Sequence, residues 1–322
     1  MSVVAITGVA SYFAYGLLPL LEEDPRIEKI VGFDIKPPKR TPSKLSFHKM
    51  DVRDPAIGSL FEGADTVVHL AFIVDEMKDK ALSRSINLEG SRNVLSALEA
   101  KGVRKIVYTS SIASYGAHPD NPQGLTEDSP LRPTQDCYYS VDKVDVENVF
   151  QQYRQTHPAV ILTVFRPCLV FGPNIQNMFS KMFESRVVPS LAGKDASVQF
   201  LHEDDLSRAL HQAIVEDHPG IFNLAGRDPV PMSKLLKLSG SLSVPVPARL
   251  AKASANLLFR LGLMPFSQAW VSMQEYPITV NTARFEKEFG WAPSHSTEET
   301  FRAFLASRKK GAKAGTDSRD LP

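Results

Sequence analysis

Short runs of apolar residues alternate with longer amphipathic stretches through the first half of the chain. Val3-Val4-Ala5-Ile6-Thr7 carries no polar face, as expected of a strand covered on both sides. Tyr12–Leu21 follows with helical spacing, and Lys29–Phe33 completes a βαβ opening. The alternation then recurs. Thr66–Leu70, Lys105–Tyr108 and Val160–Phe165 read as strands, Asn87–Lys101 and Ser140–Thr156 as helices. A parallel sheet buried on both faces needs helices over each, which predicts an α/β fold built on a doubly wound parallel sheet.

Beyond Pro167 the rhythm breaks. Gly172-Pro173, Pro189, Gly193, Pro219-Gly220 and Pro229 divide the chain into short elements. The predicted organisation is a Rossmann-type domain over 1–166, a smaller C-terminal substrate-binding region over 167–307 with some returning Rossmann elements, and a flexible tail over 308–322. That tail is polar and carries Lys309, Lys310 and Lys313. Within the second region, the apolar run Leu257 to Phe266 reads either as a core helix or as part of an apolar substrate cavity. Met178, Phe179, Met182 and Phe183 offer a further apolar surface on the substrate side.

Charge and cysteine content narrow the partners. With 37 basic against 36 acidic residues in 322, the net charge of +1 gives no global field to attract nucleic acid or an anionic membrane. Neither partner is expected. Cys137 and Cys168 are too few for a disulfide framework and lack metal-ligand spacing, so a reduced, cytoplasmic protein with no metal is predicted. The chain opens directly on a strand, without a basic region and apolar leader, so no secretory peptide is expected.

The candidate chemistry begins where the first strand passes into its helix. Thr7-Gly8-Val9-Ala10-Ser11-Tyr12-Phe13-Ala14 occupies the place at which amides of a helix start, here those of Tyr12 and Phe13, meet a pyrophosphate. Gly8 suits the tight turn. Glycines would be usual at 11 and 14; Ser11 and Ala14 stand there instead, both small enough for a close backbone approach. By itself this loop also fits a βα turn without a ligand. Asp34 closes the second strand, where a carboxylate can accept from both ribose hydroxyls of NAD and repel the additional phosphate of NADP. Lys36, Lys39 and Arg40 nearby leave NADP open. Asp51 and Val52 are placed to meet the adenine, and Leu70 and Ala71 to pass close to the pyrophosphate and nicotinamide ribose. His69 before them fits a ligand contact and a satisfied core histidine equally.

Tyr139 and Lys143 are four apart, hence on one helical face. An ammonium there favours tyrosinate, lowering the phenol towards the working range, and can also bind the nicotinamide ribose. Val107-Tyr108-Thr109-Ser110-Ser111 ends a central strand at the carboxyl edge of the sheet, and Ser111 is the hydroxyl chosen to orient the substrate oxygen. No Cys–His pair surrounds Cys137, which argues against thiol chemistry.

These features together resemble the extended, or atypical, short-chain dehydrogenase/reductase family, in its NAD-dependent epimerase/dehydratase group. The likeness spans about 1–307. It is carried by Ile6-Thr7-Gly8, Asp34, Asp51-Val52, His69-Leu70-Ala71, Asn87, Thr109-Ser110-Ser111, Tyr139 with Lys143, Arg166-Pro167, Val170 to Asn174, His202 to Asp205, Phe222 to Ala225 and Phe289-Gly290-Trp291. The resemblance implies that Ser111, Tyr139 and Lys143 do the proton and hydride work. It further implies that Pro167 and Leu169 lie in a segment wrapping the nicotinamide end, and that Asn87 supports the site from its helix. A homodimer through the helices around Asn87–Ala100 and Tyr139–Gln155 is implied as well, since their apolar residues would otherwise face water.

The implied activity is NAD-dependent oxidation or epimerisation at a secondary alcohol of a small-molecule substrate, such as the UDP-glucose/UDP-galactose pair. Two alternatives stand beside it: an alcohol dehydrogenase for an apolar, hydroxysteroid-like substrate, and a non-catalytic NAD-binding sensor, which Ser11 and Ala14 favour. Two departures shape the reading. The acidic pair of a dehydratase is missing beside Ser111, which argues against elimination. The arginine usual before His202 is replaced by Ser197-Val198-Gln199-Phe200-Leu201, leaving Arg166, Lys181 or Lys194 to meet a diphosphate.

Overall fold

A computed structural model describes the backbone of residues 1–317 and side chains as far as Lys309. The first half runs β1 (Ser2–Thr7), α1 (Tyr12–Glu23), β2 (Ile27–Asp34), β3 (Leu45–Lys49), α2 (Ile57–Leu60), β4 (Thr66–His69) and α3 (Lys80–Arg84). A single π-helical turn, Ser85–Glu89, leads into α4 (Gly90–Ala100), β5 (Lys105–Thr109), α5 (Tyr138–Thr156) and β6 (Ile161–Pro167). The second half comprises β7 (Leu169–Phe171), α6 (Met178–Glu184), β8 (Val187–Leu191), β9 (Ser197–Val198), β10 (Phe200–His202), α7 (Glu203–Val215) and β11 (Gly220–Leu224). After these come β12 (Val230–Pro231), α8 (Met232–Ser239), β13 (Leu242–Val246), α9 (Ala248–Arg260), α10 (Gln268–Ser272), α11 (Ala283–Phe289) and α12 (Thr297–Asp317).

Seven strands form one parallel sheet in the order β11-β6-β5-β4-β1-β2-β3. Strand order reverses between β1 and β4, which opens a crevice beyond their carboxyl ends. Along β1 the side chains divide by the two-residue period: Val4 and Ile6 enter a core with Leu17, Leu21, Leu206 and Leu210, whereas Ala5 enters a second core with Val94, Leu98, Val146 and Phe150. Helices α1 and α7 thus cover one face, α4 and α5 the other. A methyl group on Gly16 would stand 2.3 Å from Ser207 Oγ, so α1 and α7 touch at a position only glycine fits.

The elements that return from the second half are β11, which extends the sheet beside β6, and the covering helices α7 and α11. The remainder surrounds a separate aromatic core in which Phe171 stacks on Phe200 at 4.3 Å and Phe183, Phe301 and Phe304 close around them.

Of the apolar residues on α4 and α5, Val94, Leu95, Leu98, Val144 and Phe150 are buried within the chain, while Val141, Val149 and Tyr153 stay partly exposed. Two expectations change. Helix α12 continues to Asp317, so 308–317 is helical backbone rather than irregular tail, and 318–322 lies outside the described residues. Leu257 and Leu261 line neither a core nor a cavity but point to solvent.

Candidate active site

The crevice between β1 and β4 is lined by backbone. Gly8 has φ +70°, and a β-carbon there would fall 2.6 Å from the Ala71 amide nitrogen, so the turn and the end of β4 meet at a distance that only glycine permits. Ser11 caps α1 with φ −70° and ψ 162°, its hydroxyl accepting from the Ala14 amide at 3.3 Å. No left-handed conformation is asked of position 11, so serine replaces glycine without strain. As the first two helical residues, Tyr12 and Phe13 have amides with no intrahelical acceptor. Asp34 reaches the same loop, accepting from the Ala10 amide at 3.1 Å while staying partly open to solvent.

At the end of β5 the reactive side chains gather. Lys143, buried on α5, donates to the Thr109 carbonyl at 2.9 Å and lies 3.6 Å from the Phe72 ring centroid. Burial draws its ammonium down to about 7, against the opposing pull of Glu147 and Asp142. Tyr139, one turn earlier, is held between Phe72 and Trp270, with the Trp270 ring stacked 5.5 Å away. Burial pushes its phenol up to about 12, and the neighbouring Ser111 hydroxyl pulls the other way. The expected lowering by Lys143 is not found, and desolvation dominates. The Lys143 charge is 5.8 Å from the Tyr139 ring centroid and engaged with Thr109 and Phe72.

Ser111 sits at the start of a short 3₁₀ turn, accepting from the Ala113 amide at 3.1 Å. Ser110 is committed elsewhere, donating to Glu147 at 2.6 Å, which leaves Ser111 as the hydroxyl beside Tyr139.

Other anticipated residues also have partners within the protein. Asp51 is clasped by Arg53 at 2.7 Å, and the Val52 carbonyl accepts from Asn93 at 2.9 Å. Asn87 is wholly buried: its oxygen accepts from the Ile73 amide at 2.8 Å and its amide donates to Asp142 at 2.9 Å. It therefore braces the segment after β4 through the π-helical turn, whose displaced backbone bonding accommodates it. His69 is a core histidine. Its Nδ1 lies 2.7 Å from the Thr7 hydroxyl and its Nε2 2.9 Å from that of Ser91, which itself donates to the Asn87 carbonyl. Nε2 therefore carries the proton, and burial drives the imidazolium down to about 3.

Arg166 is not free for a diphosphate. It is buried against Glu147 and donates to the Tyr115 hydroxyl at 2.7 Å. Lys194 lies over the Tyr276 ring at 3.9 Å, and Lys181 is exposed. Pro167 ends β6, two strands from the β1–β4 crevice, and Leu169 begins β7 against the aromatic core.

Four participants were not foreseen. Phe72 and Trp270 enclose Tyr139; Glu147 anchors both Ser110 and Arg166; and Glu203 accepts from the Tyr12 phenol and, at 2.5 Å, from the Asn174 amide. Two of them had a signal: Glu147 continues the face of Tyr139 and Lys143 by one further turn, and Glu203 falls within the His202 to Asp205 run.

Comparison with known proteins agrees with this architecture. The model of the NAD dependent epimerase/dehydratase family matches residues 4–225. The uncharacterized protein Rv0501 of Mycobacterium tuberculosis is 27% identical over 315 residues, covering 95% of this chain and 84% of that one. An N-acetyl-alpha-D-glucosaminyl-diphospho-ditrans,octacis-undecaprenol 4-epimerase of Escherichia coli O157:H7 is 35% identical over 139 residues, 41% of this chain and 40% of its own. Among solved structures, UDP-glucose 4-epimerase from Thermotoga maritima, with UDP-glucose, superposes with a TM-score of 0.77 at 18% identity, covering 96% of this chain and 99% of that one.

Proposed function

The chain belongs to the NAD-dependent epimerase/dehydratase family, and from that premise we propose that it binds NAD in the β1–β4 crevice and oxidises a secondary alcohol held beside Tyr139. The observation that carries the reading is the juxtaposition of Ser111, Tyr139 and Lys143 at the carboxyl end of β5. Gly8 and the amides of Tyr12 and Phe13 hold the diphosphate, Asp34 the adenosine ribose, and Lys143 the nicotinamide ribose. When bound, the nicotinamide supplies the acceptor and donor of hydride. Ser111 orients the alcohol oxygen by hydrogen bonding, and Tyr139 takes or returns its proton. Asp51 and Val52 would meet the adenine, and Asn87 braces the segment after β4 from its helix. Phe72 and Trp270 cover part of the Tyr139 ring, while the residue stays partly open to the crevice from which the alcohol would approach.

A nucleotide sugar is the substrate class favoured here, supported by the structural neighbour solved with UDP-glucose; the curated 4-epimerase relative is named for a sugar carried on diphospho-undecaprenol. One observation favours an apolar alcohol instead: the tyrosine is covered by Phe72 and Trp270, with Phe179 packed edge-on against Trp270. Chromatographic assay of UDP-glucose/UDP-galactose interconversion, with Tyr139→Phe as control, separates the readings. Conversion that falls roughly 10²-fold or more in the variant supports sugar epimerisation. NAD-bound protein inert to UDP-sugars but active on apolar secondary alcohols supports the second reading, and NAD-bound protein inert to both refutes the catalytic proposal.

A further inference from the structure

The C-terminal region carries a surface that the proposed chemistry does not use. From Pro229 to Gln274 the sequence holds five basic residues and no acidic one, in a chain whose charges otherwise balance. Helix α9 lies in the middle of this stretch. Leu250, Leu257 and Leu261, the last at its C-terminal cap, are 60%, 58% and 63% exposed. At ~100° per residue, spacings of seven and four place these three leucines within roughly 20° of one line along the helix. Leu263, in the turn made by Gly262 at φ +74°, is 73% exposed. Arg249 and Arg260 are exposed on one flank of the stripe, and neither forms an ion pair among the described residues. The preceding ribbon adds to the surface, with Leu242 exposed opposite its exposed register partner Val187.

A row of leucines flanked by unpaired arginines, on a helix face that no other element covers, is the arrangement of an interfacial helix. Among the described residues no helix is long and apolar enough to cross a membrane. We propose that α9 lies in the plane of an anionic lipid bilayer, its leucines among the acyl chains and Arg249 and Arg260 on the headgroup phosphates. The net charge of +1, from which no membrane partner was expected, averages over this asymmetry. On the adjoining segment Glu76 is paired with Lys80 at 2.5 Å, and Lys78, which reaches Gly262, stands against Asp75 and Asp79. The helix is also joined to the active site. Asn256 on its covered side exchanges hydrogen bonds with Gln268 at 2.9 and 3.2 Å, and Gln268 begins the helix that presses Trp270 onto Tyr139.

The test is co-sedimentation of the full chain with phosphatidylcholine vesicles containing about a third phosphatidylglycerol, beside vesicles of phosphatidylcholine alone. The expected result is binding to the anionic vesicles that weakens with salt and falls roughly tenfold or more in both Leu257→Glu/Leu261→Glu and Arg249→Glu/Arg260→Glu. NADH binding equal to that of the unaltered chain shows both variants folded. Three outcomes overturn the proposal: no sedimentation with anionic vesicles, equal binding by the variants, or light scattering that finds a dimer which the leucine variant dissociates while vesicles bind nothing.

Discussion

The Lys143 ammonium donates to the carbonyl of Thr109 at 2.9 Å, so the last residue of β5 fixes a buried cation beside Tyr139. Desolvation leaves that group with a pKa near 7, protonated below and neutral above. If the charged form holds the nicotinamide ribose, NADH affinity of the unaltered chain falls as pH rises through about 7. Lys143→Met binds roughly tenfold more weakly at the acid end and loses this dependence. Fluorescence titration of NADH at several pH values checks it; an unchanged profile in the variant removes Lys143 from the cofactor site.

Asp34 accepts from the Ala10 amide at 3.1 Å and keeps part of its carboxylate open to solvent. Asp34→Ala removes a ribose acceptor and the charge that repels a 2′-phosphate, while Arg40, stacked 4.0 Å over the Tyr15 ring, remains. The ratio of NADH to NADPH affinity is expected to fall by about ten- to a hundredfold. An unaltered ratio in parallel calorimetric titrations would show that selectivity resides elsewhere.

Glu147 and Arg166 form an ion pair with both side chains buried, Ser110 and Tyr115 completing its hydrogen bonds. Removing one partner strands the other charge, so Glu147→Leu should cost about 3–5 kcal/mol in urea unfolding. Replacing both, with Arg166→Met, should recover much of that loss. A single variant within about 1 kcal/mol of the parent would contradict the burial of this pair.

His69 is held neutral between Thr7 and Ser91, with its pKa lowered from 6.5 to about 3. Between those values the unfolded chain binds a proton that the folded chain refuses, so stability falls as pH drops through the window. The limit is about 5 kcal/mol, reached only near the lower value. His69→Gln should flatten this slope by up to one proton, leaving the carboxylate contribution. Denaturation midpoints measured from neutral pH downwards decide it; parallel slopes for parent and variant would exclude His69.

The sheet was legible because its strands are buried on both faces and their apolar runs stand out against amphipathic helices. The pair Tyr139 and Lys143 was legible because a helix fixes the spacing of neighbours, and Ser111 because it follows a strand end at the carboxyl edge. Partner choice was not legible. Nothing local to Arg166 signals that Glu147, nineteen residues away, will take its charge, whereas Arg53 stands two residues from Asp51 and its claim on that carboxylate was overlooked. Trp270 was beyond reach for a different reason: its helix α10 is five residues long, too short to leave a periodic signal. The leucine pattern of α9 declared an amphipathic helix without declaring which face the fold would cover.

The phenol of Tyr12 donates to Glu203, and Glu203 also receives the backbone and side-chain amides of Asn174. A methyl group on Gly172 would meet the Glu203 side chain at 2.5 Å, so the loop after β7 is moulded onto the same carboxylate. One acidic side chain thus rivets the start of the first helix to two elements from the far half of the molecule. The two halves form a single mechanical unit at this point: a displacement of the phosphate-facing turn is transmitted directly to the walls around the substrate, and neither half can be rebuilt or exchanged without recutting the other.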